Sequence, residues 1–125
     1  PYTLLRSKEA DGSLAGWVWV HVYGAYGDSI DPAFEEHTRV WLRRGGSMAY
    51  AHVRGGGELG ERWHQAAVRE TKWRSSTDLL AVVEAIVARG FGRMGSVIAS
   101  ANSAGGVALG GAVIARPEAF AAVLV

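Results

Sequence analysis

The sequence predicts an α/β fold, a parallel sheet flanked by helices, and three observations carry that prediction. Short apolar runs alternate along the chain with segments of helical periodicity, the pattern that builds a parallel sheet with crossover helices on both faces. Trp17 to Val22 (Trp-Val-Trp-Val-His-Val) is β-branched and aromatic and apolar at nearly every position, as a central strand buried on both faces would be. The stretch Gly95 to Gly111 reads as a short buried strand, an abrupt turn at Ser103 and a helix of small residues.

Each element can be justified in order. Tyr2 to Arg6, followed by Ala-Asp-Gly at 10–12, is a strand entering a tight turn. The strand Trp17–Val22 ends in the glycine-punctuated loop Tyr23-Gly24-Ala25-Tyr26-Gly27. His37 to Arg44 is a helix, with Trp41 following Phe34 and His37 at helical spacing and Arg43-Arg44-Gly45 as its C-terminal cap. Ser47 to Val53 is the next strand, followed by Arg-Gly-Gly-Gly-Glu-Leu-Gly at 54–60, and Glu61 to Glu70 has helical character. In the clearest helix, Asp78 to Arg89, Leu79, Val82, Val83, Ile86 and Val87 form one apolar face. Ser75 with Asp78 resembles a capping box with Asp in place of Glu, and Gly90 stands where a left-handed cap belongs. The strand Val97–Ala101, a helix ending before Pro117 and a last strand, Ala121–Val125, complete the order.

A chain of 125 residues holds one domain with a modest core, and 49% hydrophobic residues argue against disorder. With 13 basic and 12 acidic residues the net charge is +1, and the cations are scattered. Neither a nucleic acid nor a membrane partner is expected on that balance. Cysteine is absent, which excludes a disulfide framework, a thiolate metal site and a cysteine nucleophile, and suits a reducing, cytoplasmic setting. No apolar run reaches the roughly 18 residues of a membrane span, and no secretory signal pattern opens the chain. Beginning at Pro1 and ending inside the apolar run Phe120–Val125, the sequence is expected to be cut from a longer polypeptide.

Ser103 is the leading candidate for chemistry. Ala101 and Gly105 stand two positions either side of it, close to the Gly-x-Ser-x-Gly nucleophile elbow with alanine for the first glycine. A serine N-cap at a strand-to-helix junction accounts for the same residues. On this motif alone both readings stand. Gly105, Gly106, Gly110 and Gly111 imply close backbone approach, because each glycine costs about 1 kcal/mol against alanine in a helix. Gly55-x-Gly57-x-x-Gly60 matches a dinucleotide fingerprint in letters. Asp78 opens a helix instead of ending a strand, however, and Glu58 would put negative charge in a phosphate cradle. His21, His37, His52 and His64 form no close ligand set, so neither metal nor cofactor is expected. Between Glu61 and Arg74, Trp63, Trp73, Arg62, Arg69, Lys72 and Arg74 are interleaved with two acids, which reads as a packed surface helix.

Three segments line up in sequence: Val22-Tyr23-Gly24-Ala25-Tyr26-Gly27, then Ala51-His52-Val53-Arg54-Gly55-Gly56-Gly57-Glu58-Leu59-Gly60-x-x-Trp63-His64, then Asn102-Ser103-Ala104-Gly105-Gly106. Together they resemble the catalytic domain of the prolyl oligopeptidase family, oligopeptidase B in particular, and Arg-Pro-Glu-Ala-Phe at 116–120 is similar to the family's Arg-Pro-x-x-Phe. The resemblance covers roughly residues 17–125 and implies an α/β-hydrolase fold. By it Ser103 matches the nucleophile, the Tyr23 hydroxyl one oxyanion donor, and the backbone N–H of Ala104 the second. Two departures stand out: Ala101 replaces the elbow glycine, and the family's acid and histidine, which follow the serine, have no counterpart. No histidine occurs after residue 64, and Glu118 is the only acid after Ser103.

The resemblance implies a serine-type peptidase working through an acyl-enzyme. Residues 1–125 would be a partial α/β-hydrolase domain, from the oxyanion strand to the strand after the elbow, without a propeller domain. Its partners would be a short peptide substrate, the remainder of its own catalytic domain and a propeller in the full-length protein. The chain alone is expected to be inactive. The alternatives are an esterase or acyl-peptide hydrolase of the same fold, or a non-catalytic remnant or interaction module.

Overall fold

In the computed structural model, which describes residues 1–9 and 11–125, the central strand β2 (Val18–Val22) alternates in burial. Val18, Val20 and Val22 are fully buried, whereas Trp19 and His21 are half-buried. Burial on both faces is therefore corrected to one buried face and one partly covered face. The buried face packs under two helices, α3 (Trp73–Ala88) and α4 (Gly105–Ala115), in a core that includes Leu79, Val83, Ile86, Ala108, Leu109 and Ala112. The other face meets the shorter helix α1 (Glu36–Arg43), where the Trp41 ring stands edge-on to Trp19 and His37 packs against it.

Five strands form one sheet in the order β1-β3-β2-β4-β5, with β1 Tyr2–Leu5, β3 Ser47–Ala51, β4 Val97–Ala101 and β5 Phe120–Leu124. The four strands predicted as a parallel set are parallel: β2 with β3, β2 with β4, and β4 with β5. The whole sheet is mixed, because β1 pairs antiparallel with β3 at one edge. Each parallel pair is joined through a helix, as parallel pairing requires. Of the predicted 10–12 turn, Ala10 lies outside the described residues; the Asp11 carboxylate accepts the Ser13 N–H at 2.8 Å, and Gly12 has φ +80°.

Two helix boundaries depart from expectation. The predicted Glu61–Glu70 helix is broken into α2 (Glu61–Gln65) and a separate 3-10 turn, Arg69–Thr71, with Arg69 at φ +47°. Helix α3 starts at Trp73, five residues before the predicted Asp78, so no capping box forms. Ser75 and Asp78 lie inside the helix, and both side chains are taken by the 54–60 loop, as described below. The far end behaves as predicted. Gly90, at φ +75°, and Phe91 donate to the carbonyls of Val87 and Ile86, a Schellman arrangement that needs the left-handed residue.

Candidate active site

The parallel register sets three chain ends side by side. Val22 of β2 lies opposite both Ala51 of β3 and Ala101 of β4. The segments starting at Tyr23, His52 and Asn102 therefore leave the sheet together, at the edge where open α/β sheets place their ligands. Ser103 turns the chain there from β4 into α4. Its φ is +49°, a left-handed conformation costing an L-residue roughly 1–2 kcal/mol, and the residue is exposed. Helix α4 takes Ala104 as its N-cap residue and has no side-chain cap bond, so the N-cap alternative for Ser103 does not hold.

Small neighbours make this turn possible. A Cβ on Gly105 would sit 2.9 Å from the Val22 carbonyl oxygen and 3.0 Å from the Tyr23 Cα, so only glycine lets α4 start this close to β2. Ala101 is 2% exposed and its methyl belongs to the core, so alanine at the first elbow position is absorbed by packing. The N–H groups of Gly105 and Gly106 bond back to the carbonyls of Asn102 and Ser103 at 2.9 and 3.0 Å. That of Ala104 has no acceptor among the described residues. Tyr23 follows β2 directly, its ring edge beside Gly105.

Behind Tyr23, the 54–60 loop interlocks with the 23–28 segment. Gly27 donates to the Gly55 carbonyl at 3.1 Å, and Gly57 donates to the Asp28 carbonyl at 3.1 Å. The amides of Gly55, Gly56 and Gly60 are spent on the carbonyls of Trp63, Val53 and Gly57. The glycine amides that a phosphate would need are thus taken by carbonyls of this loop and its neighbours. Glu58 folds inward, accepting the Ile30 N–H at 3.1 Å and lying 3.4 Å from His52 Nδ1. The Arg54 backbone N–H and guanidinium are held by the Asp78 carboxylate at 2.9, 2.8 and 2.6 Å, and that side-chain bond pushes the Arg54 pKa up.

The histidines are engaged elsewhere. His64 Nδ1 donates to the Gly55 carbonyl at 2.8 Å, and His52 Nε2 pairs with the Thr3 hydroxyl at 2.8 Å. His37 on α1 lies 2.8 Å from Glu35. His21 sits on the α1 face, where the Trp19 indole donates to Ser100 Oγ at 2.7 Å and that oxygen lies 2.9 Å from His21 Nδ1. A hydroxyl carries one proton and two lone pairs, so Ser100 can accept the indole N–H and still either donate to His21 Nδ1 or accept from it. Burial lowers the pKa of His21, against the opposing pull of the Glu35 charge and of a hydrogen bond to Ser100. A cleft of about 350 Å³ opens beside it, lined by Trp19, His37, Tyr50 and Asn102, but neither Ser103 nor Tyr23 lines it. Among the described residues no cluster of three or more His, Asp or Glu is arranged to hold a metal ion, and no helix is long and apolar enough to cross a membrane.

Residues 32–125 match the prolyl oligopeptidase family. The chain belongs to that family. It is 37% identical over 123 residues to the prolyl endopeptidase-like protein of Rattus norvegicus, covering 98% of this chain and 17% of the relative. The structure of oligopeptidase B from Leishmania major superposes with a TM-score of 0.90 at 32% identity, over 99% of this chain and 18% of that one. Oligopeptidase B from Trypanosoma brucei, solved with covalently bound antipain, superposes at 0.88 with 30% identity, over 98% of this chain and 18% of that one. The chain thus spans less than a fifth of the length of these family members. Two buried or half-buried polar contacts beside this region that the sequence did not mark are those of Lys72 to the Gly24 carbonyl and of Ser75 to the Arg54 carbonyl. No spacing marks them, because their partners are backbone carbonyls in other segments.

Proposed function

We propose that this chain is the nucleophile-bearing part of a serine oligopeptidase catalytic domain. The observation that carries the reading is the left-handed backbone of Ser103 between β4 and α4, with exposed hydroxyl and glycine packing behind it. In this reading the Ser103 oxygen attacks a peptide carbonyl and forms an acyl-enzyme as the amine leaves; water then releases the acid. The free Ala104 N–H and the Tyr23 hydroxyl hold the oxyanion as the carbonyl carbon becomes tetrahedral. The covalent antipain on the trypanosomal relative supports a covalent route for the family site. Residues 1–125 then form a partial domain, and the general base, its acid partner and a substrate-restricting propeller come from the rest of the complete polypeptide.

The test uses the complete polypeptide with fluorogenic peptides carrying Arg or Pro before the scissile bond, beside an aryl ester. Peptide turnover abolished by Ser103→Ala, together with Ser103-dependent labelling by a fluorophosphonate, is the expected result. Ester turnover without peptide turnover would move the reading to an esterase. Labelling and turnover that survive Ser103→Ala would remove the nucleophile assignment.

A further inference from the structure

The turn carrying Tyr23 is held from behind by a single cation. Lys72 stands at the start of α3, and its ammonium donates to the carbonyl oxygen of Gly24 and, at 3.1 Å, to Ser75 Oγ. Ser75, fully buried, donates to the Arg54 carbonyl at 2.6 Å, and Arg54 is clamped by Asp78 one turn further along α3. Lys72 and Ser75 together therefore join the turn after β2, the 54–60 loop and α3. Among the described residues no carboxylate lies within ion-pair distance of Lys72. Its pKa is lowered by burial, with no acid to compensate. A half-buried ammonium bonded to one carbonyl and one hydroxyl, with no counterion, gives up part of its hydration without an opposite charge to offset the loss.

What the ammonium does secure is geometry. Gly24 has φ +64°, and a Cβ there would run into the Val53 side chain, so glycine is required at this point but leaves the backbone torsionally free. The bond to Lys72 holds the direction of the Gly24 carbonyl and so restrains the torsion that glycine leaves loose. Tyr23 is the preceding residue, and the path of its backbone past Gly105 sets where its ring points. We propose that Lys72 is a positioning residue for the oxyanion donor, holding the Gly24 carbonyl so that the Tyr23 hydroxyl meets the developing oxyanion above Ser103. A donor misplaced by an ångström forfeits most of its worth in the transition state while leaving substrate binding nearly intact.

The inference rests on the reading of Tyr23 as an oxyanion donor, and a double-mutant cycle separates the two. In the complete polypeptide, Lys72→Met is expected to lower kcat for a fluorogenic peptide by about 10- to 100-fold with KM nearly unchanged. In a Tyr23→Phe background the same change is expected to cost less than about threefold, because no hydroxyl is left to aim. Ser75→Ala, which frees the ammonium on one side, keeps the test open should Lys72→Met not fold. It is expected to lower kcat several-fold, again only when Tyr23 is present. Equal losses in both backgrounds, or a loss confined to KM, would overturn the positioning role while leaving Tyr23 in place. A Tyr23→Phe variant with undiminished kcat would refute the oxyanion reading and take the Lys72 inference with it.

Discussion

Two glycines in one helix should respond to alanine with opposite signs. Gly105 and Gly110 both lie in α4, where alanine is preferred to glycine by about 1 kcal/mol. At Gly110 an added Cβ meets nothing within 4 Å, so Gly110→Ala should keep that gain and stabilise by about 0.5–1 kcal/mol. At Gly105 the new carbon would lie 2.9 Å from the Val22 carbonyl oxygen and 3.0 Å from the Tyr23 Cα. Both are backbone atoms at the end of the central strand, which is held by ladders on either side and cannot move cheaply. Overpacking costs about 1–3 kcal/mol, and against backbone that cannot move the upper part of that range, about 2–3 kcal/mol, applies; less the helix gain of about 1 kcal/mol, the net change for Gly105→Ala is a loss of about 1–2 kcal/mol. The gap between the variants is then about 2–3 kcal/mol. With a urea slope of about 1–3 kcal/mol/M, their unfolding midpoints should differ by about 1 M or more. The assay is equilibrium urea unfolding of the 125-residue chain followed by tryptophan fluorescence. If Gly105→Ala unfolds at the same urea concentration as Gly110→Ala, or above it, the close approach of α4 to β2 is not what confines position 105 to glycine.

Three further outcomes are expected. Asp78→Ala removes the acceptor for the Arg54 backbone and guanidinium and should destabilise by about 2–3 kcal/mol; a change below about 0.5 kcal/mol in urea unfolding would contradict that clamp. His21 has its folded pKa lowered by burial, so as pH falls the unfolded chain, with the ordinary histidine pKa of about 6.5, binds the proton first. Its share of stability is therefore complete above that pH and declines as pH falls toward the folded pKa. The decline between pH 7.5 and roughly pH 5.5 should shrink in His21→Gln, measured by urea unfolding at each pH, with Glu35 the charged group opposing the effect. In the complete polypeptide, Tyr23→Phe should lower kcat by about 10- to 1000-fold, read with a fluorogenic peptide, and an unchanged kcat would exclude the hydroxyl from the oxyanion hole.

The sequence carried the parallel strands because each is a short apolar run alternating with a helical segment, and such runs need no partner to be recognised. The partner of β1 was not legible. The run Tyr2–Arg6 ahead of Ala-Asp-Gly says that a strand is there, but nothing in it specifies antiparallel pairing with β3. The elbow was legible for a steric reason: only small residues tolerate the crowding around Ser103, so Ala101 and Gly105 mark the turn even with the first glycine replaced. The start of α3 was not. Arg74-Ser75-Ser76-Thr77 is weak in helix propensity, and tertiary bonds from Ser75 and Lys72 to other segments offset that weakness. Ser75 and Asp78 have capping-box spacing, but each is taken by Arg54, a partner that spacing along one helix cannot reveal.

The division of labour around Ser103 follows from what each catalytic part demands. An oxyanion hole needs fixed donors, and in the proposed reading the parallel register would supply the place: the amide of Ala104 before α4 and a tyrosine at the end of the adjacent strand. A general base has a different requirement, a mobile proton site facing the nucleophile, and the histidines of this chain are committed to other partners. His64 bonds the Gly55 carbonyl, His52 bridges Thr3 and Glu58, His37 pairs with Glu35, and His21 turns to Ser100 on the α1 face. Freeing one would break a bond that holds β1, the 54–60 loop or the α1 face in place. A serine hydroxyl without a base is a weak nucleophile, and an oxyanion hole with binding alone leaves only about 10³–10⁴-fold catalysis over water. The chemistry proposed for Ser103 therefore depends on an imidazole reaching the strand ends from outside residues 1–125, over a turn that Lys72 and Gly105 have already fixed.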